Sequence, residues 1–412
     1  MFKKIILESQ EKIKNLNLIR RELNIDEIMT VFKLNKIIAL IGSRRSGKTF
    51  LTFQIVQQCI EMQLLQLEQI IYLDFSGFIE KDISFDRILE DYKILFPNSS
   101  PVFILDEIQE LDNFPEKLIS LLGMGYKILI TGSNAHMLSK DLSTILRWKV
   151  YTKEIFPLTF KEFLIFCGSK YTNNDRILHS AKYKKMLSEY LKWWGFPEIV
   201  LTHNEVVKEN ILKTYLDVMI YKDLQDRYDI KNDFALKFII KRVLFSYSKE
   251  FNIHKIYNEL KSQNIKVGKD SLYSFYEYLK NIYFIQTLTN YWSKVKGQTK
   301  PYLIDTAYAQ IAWNEDFGKR LENMVFWELQ KKHKEVYFLN NTYEIDFYLP
   351  WKEVYIQVVY SLDYENYDRE VRHLKKQEGT KYVIYFEKRD NIILDPTITF
   401  VHILDFIFDS VI

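Results

Sequence analysis

Residues 37–60 combine a short apolar run, a loop bounded by two glycines and a helical pattern. The apolar run is residues 37–41, and the loop that follows is Gly42-Ser43-Arg44-Arg45-Ser46-Gly47-Lys48-Thr49. This octapeptide fits the pattern G-x-x-x-x-G-K-[ST], and it stands between a predicted strand and a helical pattern that starts at Phe50. Because such a loop works only at the end of a strand in a mostly parallel sheet, it predicts an α/β fold around it.

The residue types of this loop are those that bind a nucleoside triphosphate. Its glycines let backbone amides turn toward phosphates, and the following helix presents its positive N-terminal dipole to them. Lys48 would neutralise the β and γ phosphates, and the Thr49 hydroxyl would complete the coordination of Mg²⁺. We therefore predict that residues 42–49 bind ATP together with Mg²⁺. A chance match is the alternative, and the correctly placed strand and helix argue against it.

A second apolar run, residues 102–105, ends at Asp106 and Glu107. Open α/β sheets collect their ligands at the carboxyl ends of strands, which is where this acidic pair would lie. Asp106 is predicted to hold Mg²⁺ through water, and Glu107 to polarise the water that attacks the γ phosphate. Paired acids after a strand are often only a solvated turn, but the loop upstream favours the catalytic interpretation.

A third predicted strand, residues 127–130, runs into Thr131-Gly132-Ser133-Asn134. Ser133 or Asn134 could sense the γ phosphate from the same edge of the sheet. An equally good interpretation is that Gly132 and Asn134 simply form a turn, which their backbone preferences favour.

The chain as a whole is predicted to contain more than one domain. Between residue 36 and about residue 163, continuous apolar runs alternate with helical patterns, which predicts a parallel sheet with helices on both faces. The chain has 412 residues, more than a single hydrophobic core usually serves. After Pro157 the pattern is helical to about Tyr247, then basic, and finally alternating near Tyr337 and Tyr355.

Bulk properties limit the compartment and the partners. The formal charge is +3, so a basic surface for nucleic acid would have to be local. The chain has two cysteines, Cys59 and Cys167, which form neither a disulfide framework nor a metal motif and fit a reducing compartment. No segment reaches the roughly 18 apolar residues of a membrane span, and residues 1–20 do not resemble a signal peptide. We expect a cytoplasmic protein that does not enter a membrane.

Several segments together resemble the prokaryotic AAA-type ATPases that carry a C-terminal domain of the DUF4143 class. Individually only the phosphate loop is specific, but the ordered set extends from residue 42 to beyond residue 360. The matching segments are Arg44-Arg45, Leu105-Asp106-Glu107-Ile108-Gln109, Thr131-Gly132-Ser133, residues 156–163, Gly195-Phe196-Pro197-Glu198, Tyr221-Lys222-Asp223-Leu224 with Arg227, residues 318–323 and Glu344-Ile345-Asp346-Phe347.

The resemblance implies four regions. They are an ATPase domain at residues 1–165, a helical lid or linker at 166–247, a winged-helix-like domain at 248–317 and a C-terminal α/β domain at 318–412 similar to restriction-endonuclease-like nucleases. It also implies an arginine finger before residues 156–163, where the family usually has Gly-Arg. This chain has Trp148-Lys149 there, with Arg147 nearby, so Arg147 and Lys149 are both candidates, although lysine lacks the planar fork. Trp194 likewise stands where the family tends to have glycine.

The region between residues 251 and 300 has the strongest local charge. Two helical patterns within 254–283 are separated by residues 263–268, a spacing that resembles a winged helix-turn-helix. Residues 251–300 contain eight lysines and three acids, a net charge of +5. This predicts a face that binds DNA phosphates. A lid or a protein-docking module is the alternative.

The C-terminal region is predicted to lack nuclease chemistry. The resemblance implies that Glu322 lies on a helix, Asp346 on a strand and Gln357-Val358-Val359 on the next strand. A nuclease of that class needs Asp followed by Glu-x-Lys, and here Gln357 and Val359 stand in the last two places.

The predicted function is therefore that of an ATP-hydrolysing switch or motor that acts on DNA or on a protein partner. An ATP-dependent nuclease and a slow regulatory ATPase are the alternatives. An assembly of identical chains is compatible with each of them.

Overall fold

The computed structural model describes residues 2–77, 83–133, 146, 148–169, 171–172, 179–292, 299–312, 314–340, 344–389 and 392–409. The predicted site residues Asn134 and Arg147 lie outside these ranges, as do Lys294 and Lys296 of the basic region. The chain divides into two compact units. The first contains Met1–Asp175, Gly195–Leu201 and Asn281–Tyr283, and the second contains Arg176–Trp194, Thr202–Lys280 and Phe284–Ile412.

The first unit is a parallel sheet between two layers of helices. Its elements are α1 (Phe2–Asn15), α2 (Ile25–Lys33), β1 (Ile37–Ile41), α3 (Lys48–Glu61), β2 (Ile70–Asp74), α4 (Phe85–Leu95), β3 (Val102–Asp106), α5 (Phe114–Gly123), β4 (Lys127–Gly132), β5 (Val150–Glu154), α6 (Phe160–Phe166) and the short helix Pro197–Leu201. The strand order is β2-β3-β4-β1-β5, and neighbouring strands are parallel.

The residues of β1 explain why this sheet needs helices on both faces. Ile37, Ala39 and Ile41 pack into one hydrophobic cluster with α1, α4 and α5. Ile38 and Leu40 pack into a second cluster with α2 and α3. Alternate side chains of a strand point to opposite faces, so a strand that is apolar at every position must be covered twice. The predicted α/β fold with a doubly covered parallel sheet is confirmed.

Strand β5 was not predicted from the sequence. Its residues are mostly half-buried, because it pairs with β1 at the edge of the sheet and has no neighbour on its other side. A strand of mixed polarity lacks the continuous apolar run that revealed β1, β2, β3 and β4. It nevertheless positions the segment after it, since Ile155 donates its backbone N–H to the carbonyl of Ile41, at 2.6 Å.

Gly42 follows β1 at a place where no side chain fits. Its φ is +151°, and a Cβ atom there would lie 2.0 Å from the carbonyl oxygen of Ile155. We expect Gly42→Ala to destabilise the first unit by about 2–4 kcal/mol and to lower its melting temperature by about 5–10 °C. Gly123→Ala is the matched control, because no atom lies within 4 Å of a Cβ at that position. Differential scanning fluorimetry of both variants checks this expectation, and an unchanged Gly42→Ala melting curve would contradict it.

The second unit begins with helices and a hairpin. These elements are α7 (Ser180–Trp193), α8 (Glu205–Val218), a π-helix (Met219–Asp226), α9 (Asp233–Ser246), α10 (Ile253–Ser262), α11 (Lys269–Asn281), β6 (Ile285–Thr289) and β7 (Thr299–Leu303). The two predicted helical patterns within residues 254–283 correspond to α10 and α11. Strands β6 and β7 pair antiparallel directly after them.

The rest of the second unit is a mixed sheet with helices. Its elements are α12 (Ala307–Ile311), α13 (Phe317–Lys332), β8 (Tyr337–Asn340), β9 (Glu344–Leu349), β10 (Val354–Leu362), α14 (Tyr364–Lys375), β11 (Thr380–Lys388), β12 (Thr399–His402) and α15 (Ile403–Asp409). The order is β12-β11-β10-β9-β8, antiparallel from β8 to β10 and parallel from β10 to β12. Among the helices that the structure describes, none has the length and apolarity needed to cross a membrane.

Candidate functional site

The predicted phosphate loop connects β1 to α3 at the carboxyl edge of the first sheet. Gly47 has a φ of +90° and forms the N-cap of α3, so it supplies a backbone conformation that glycine adopts most easily. Lys48 is the first residue of α3 and is buried. Its Nζ donates to the carbonyl oxygens of Gly42, at 3.1 Å, and Ser43, at 2.9 Å. The loop thus folds around a cation, as an anion-binding loop requires.

Two buried hydroxyls in this loop have no protein partner. The Oγ atoms of Ser43 and Ser46 are shielded from solvent, and neither forms a hydrogen bond within the described residues. A buried polar group without a hydrogen bond costs about 1–3 kcal/mol, so such groups usually indicate a ligand or an ordered water. A phosphate chain, which offers many acceptor oxygens, fits hydroxyls in this position.

Asp106 lies at the end of β3, next to the loop. Its Oδ2 accepts hydrogen bonds from the Thr49 hydroxyl, at 2.7 Å, and from the Tyr72 hydroxyl, at 3.0 Å. Its Oδ1 accepts a short hydrogen bond from the Thr131 hydroxyl. Burial raises the pKa of Asp106 above its ordinary value, despite these hydrogen bonds. Because burial disfavours the ionised form of Asp106, a nearby cation would stabilise that form. Thr49 and Asp106 together could therefore hold Mg²⁺.

Glu107 follows in the left-handed conformation, with a φ of +51°. Its backbone N–H donates to the Thr131 hydroxyl, at 3.0 Å. Its carboxylate accepts a short hydrogen bond from the Nε2 of Gln109, which also lies 3.4 Å from the Oγ of Ser133. The structure therefore places Ser133, one of the two predicted γ-phosphate sensors, beside the carboxylate of Glu107.

Opposing effects set the pKa of Glu107. Burial raises it, but the positive charges of Lys48 and Arg44 lower it by more, so the pKa lies below the ordinary value. Glu107 is consequently ionised at neutral pH and can accept a proton. This is the state that a general base needs.

Lys149, one of the two arginine-finger candidates, lies at the opposite edge of the same sheet. Its carbonyl accepts the N–H of Ile37, at 2.8 Å, at the amino end of β1. The phosphate loop follows the carboxyl end of β1, and a five-residue strand is about 16 Å long. Lys149 therefore cannot complete the site of its own chain as a substitute for the finger; it could contact only the site of another copy.

Arg21 contacts the phosphate loop, and nothing in the sequence pointed to it. One Nη of its guanidinium donates to the carbonyl of Ser46 in the loop, at 2.8 Å, and the other donates to the carbonyl of Phe156, at 3.0 Å. The same side chain forms a two-pronged ion pair with Glu162, at 2.8 and 2.9 Å. A single arginine between two helices carries no signal in the sequence, so its role depends on the fold.

Two segments quoted for the family resemblance pack around the loop. The backbone N–H of Leu158 donates to the carbonyl of Gly195, at 2.7 Å. Arg45 of the loop lies 3.8 Å from the carboxylate of Glu198. Residues 156–163 and 195–198, which are distant in sequence, thus meet at the phosphate loop.

Comparisons with known proteins agree with this geometry. Residues 34–164 match a family described as an AAA domain. The uncharacterized protein MJ1544 of Methanocaldococcus jannaschii is 34% identical over 388 residues, which cover 91% of this chain and 85% of that protein. Residues 34–164 therefore form an AAA domain, and the chain belongs to one family with this archaeal protein. A Haemophilus influenzae protein is 27% identical over 377 residues, covering 87% of this chain and 91% of its own length.

A solved structure, the Aeropyrum pernix ORC1 protein in complex with DNA, aligns with a TM-score of 0.33 at 10% identity. The alignment covers 74% of this chain and 96% of that chain. A likeness of this degree is too distant to support a functional conclusion.

The predicted C-terminal residues form a second polar group in this chain. Glu322 lies on α13, Asp346 on β9 and Gln357 on β10. Asp346 accepts the backbone N–H of Val358, at 3.0 Å, whereas Gln357 donates to Glu370, at 3.3 Å. Val359 is packed in a hydrophobic cluster. Within the described residues, no group of three or more His, Cys, Asp or Glu side chains is arranged to hold a metal ion.

Lys300 corrects the predicted basic face. It was counted among the eight lysines of residues 251–300, but its side chain is buried and pairs with Glu322, Glu344 and Asp346. It therefore contributes nothing to a DNA-binding surface. The sequence of β7 conceals this, because Lys300 stands between a threonine and a proline at the start of the strand.

Proposed function

We propose that this AAA-type ATPase binds ATP with Mg²⁺, hydrolyses the γ phosphate and uses the cycle to switch its contact with DNA. One observation carries the hydrolytic part. The Thr49 hydroxyl bonds to Asp106, and the next residue, Glu107, is an ionised carboxylate held by a side-chain hydrogen bond. This combination supplies both the oxygen ligands for a cation and a base one residue away.

Each residue of the site has a role in this proposal. Lys48 and the backbone amides of residues 42–49 bind the phosphates, and the hydroxyls of Ser43 and Ser46 donate to phosphate oxygens. Thr49 and Asp106 hold Mg²⁺, which offsets charge on the phosphates when it is bound. Glu107 orients the attacking water and accepts its proton. Gln109 keeps the carboxylate in place and connects it to Ser133.

Arg21 connects the phosphate loop to other parts of the first unit, so it can transmit a movement of the loop to them. One guanidinium contacts Ser46 of the loop, the carbonyl of Phe156 and the carboxylate of Glu162. A displacement of the loop must therefore be shared by the start of α6 or must break charge-assisted hydrogen bonds. In this proposal Arg21 is a positioning residue.

The DNA part of the proposal rests on exposed lysines of α10, of α11 and of the turn between them. Lys255, Lys261, Lys266 and Lys269 are exposed and form no ion pair within the described residues. Lys280, in contrast, pairs with Glu277 at 2.9 Å. A helix, turn, helix and hairpin in this order is the arrangement of a winged helix, which supports binding to duplex DNA. Docking of an acidic protein is the alternative.

The test of the proposed function is steady-state ATP turnover in three conditions: the chain alone, with duplex DNA and with single-stranded DNA. We expect Mg²⁺-dependent turnover that duplex DNA stimulates. Turnover that neither DNA changes would favour a protein partner or a slow regulatory switch. Absence of turnover in every condition would contradict the hydrolytic part.

A lysine variant tests the DNA-binding surface directly. Replacing Lys261, Lys266 and Lys269 by alanine should weaken duplex binding at low salt and flatten its salt dependence by about one unit of slope per lost phosphate contact. The matched control removes three exposed lysines from α7, namely Lys182, Lys184 and Lys185. Both variants lose the same charge, so fluorescence anisotropy titrations at several salt concentrations isolate the surface. Equal slopes for both variants would contradict DNA contact through α10 and α11.

A further inference from the structure

The carboxylate group of the C-terminal sheet contains a buried ammonium. Lys300 comes from β7, Glu322 from α13, and Glu344 and Asp346 from β9. The Nζ of Lys300 lies 3.2 Å from Glu322, 2.8 Å from Glu344 and 3.3 Å from Asp346, and the lysine side chain is 1% exposed. Three carboxylates from two elements thus converge on a single cation.

The hydrogen bonds of this group are satisfied internally. An ammonium has three N–H donors, and here each has one carboxylate to bond to. The second oxygen of Asp346 accepts the N–H of Val358, at 3.0 Å, and Glu322 also accepts from the Tyr302 hydroxyl, at 2.8 Å. No donor of Lys300 remains to orient a water molecule, which a catalytic lysine in a nuclease would have to do.

The charges of these side chains also indicate that Lys300 serves as a cation within the group and not as a catalytic lysine. Burial opposes the charge of Lys300, but the three carboxylates outweigh it and raise the lysine pKa, so the side chain stays an ammonium. Burial and the charge of Asp346 raise the pKa of Glu322 above its ordinary value, and the charge of Lys300 opposes this rise. Glu344 is half-exposed, at 54%, and marks the side of the group that solvent can reach.

We propose that Lys300 is a built-in cation that takes the place of a divalent metal ion between Glu322, Glu344 and Asp346. Around the ammonium, these three carboxylates are not arranged as a metal site. Without the ammonium they would be uncompensated acids, which a hard cation would bind. The lysine keeps the C-terminal domain folded around its acids without metal and leaves it without nuclease chemistry. This extends the degenerate-nuclease hypothesis, which considered only the missing glutamate and lysine at positions 357 and 359.

Terbium luminescence on the full chain tests this proposal, because Tyr302 lies against Glu322 and can sensitise a bound Tb³⁺. We expect Lys300→Ala to bind about one more equivalent of Tb³⁺ than the wild type, and Asp346→Asn to remove that gain when added to Lys300→Ala. Any Tb³⁺ bound at the phosphate loop is the same in all variants, so it does not affect the comparison. Lys300→Arg keeps a cation in place and should gain no ion.

Lys300→Met, which removes the charge but keeps the length, guards against a variant that fails to fold, and circular dichroism checks each protein. No gain of Tb³⁺ in either folded Lys300→Ala or Lys300→Met would overturn the proposal. The proposal would also be overturned if the wild type bound Tb³⁺ and the single substitution Asp346→Asn removed that binding. Plasmid nicking with Mn²⁺ by the wild type, lost in Lys300→Ala, would show instead that Lys300 is catalytic and would promote the nuclease alternative.

Discussion

Replacing Glu107 by glutamine should reduce ATP turnover by about 10²–10⁴-fold and leave nucleotide binding intact. The amide has nearly the same shape, so the left-handed turn and the hydrogen bond between the backbone N–H of residue 107 and the Thr131 hydroxyl can persist. What is lost is the negative charge, which Lys48 and Arg44 stabilise and which accepts the proton of the attacking water. Phosphate release and binding of a fluorescent ATP analogue measure the two quantities separately.

Glu110→Gln is the matched control for this variant. Glu110 lies on the same short helical turn, Ile108–Glu110, and its side chain forms no hydrogen bond or ion pair within the described residues. The same chemical change three residues away should leave turnover unchanged. Turnover of Glu107→Gln near the wild-type level would exclude Glu107 as the base, and loss of turnover in both variants would indicate general damage to the turn.

Replacing Lys48 by alanine should weaken ATP binding by about 100-fold or more. A charge-assisted hydrogen bond contributes about 1.5–3 kcal/mol, and the ammonium would contact more than one phosphate oxygen. Lys48 is buried, and its ammonium lies beside the carbonyl oxygens of Gly42 and Ser43 inside the loop. Isothermal titration calorimetry with ATP and Mg²⁺ measures the loss.

Two further proteins make the Lys48 experiment decisive. Lys33→Ala removes an exposed lysine from the end of α2 and should not change the dissociation constant. Lys48→Arg keeps the charge on a larger group that does not fit the same buried space, so it should restore only part of the affinity. Wild-type affinity in folded Lys48→Ala would contradict the assignment of residues 42–49 as the phosphate loop.

The two predicted effects differ in kind, which makes them useful together. Lys48→Ala removes a group that binds the ground state, whereas Glu107→Gln removes a group that acts on the water in the transition state. If both variants behave like the wild type, Lys48 and Glu107 do not belong to an ATPase site. A chain that binds ATP tightly but does not turn it over in the wild type would be a nucleotide-dependent switch instead.

The sequence by itself determined the first sheet and the residues at its carboxyl edge. Strands β1, β2, β3 and β4 were predicted because strands covered on both faces must be apolar at every position, a pattern that needs no tertiary information. The phosphate loop, Asp106 and Glu107 could be predicted because each follows directly on such a strand. The residues of β5 and Arg21 could not, since a strand of mixed polarity has no continuous apolar run and a single arginine has no periodicity.

Only the tertiary structure decided which charges are paired and which are exposed. In the sequence Lys300 is one of eight lysines in a basic region; in the structure it lies buried between three carboxylates. Lys149 looked like a substitute for an arginine finger and is placed by β5 at the far edge of the sheet from the loop. The physical reason is that periodicity reports how far a segment is buried, whereas the partner of a charge is set by contacts between residues far apart in the chain.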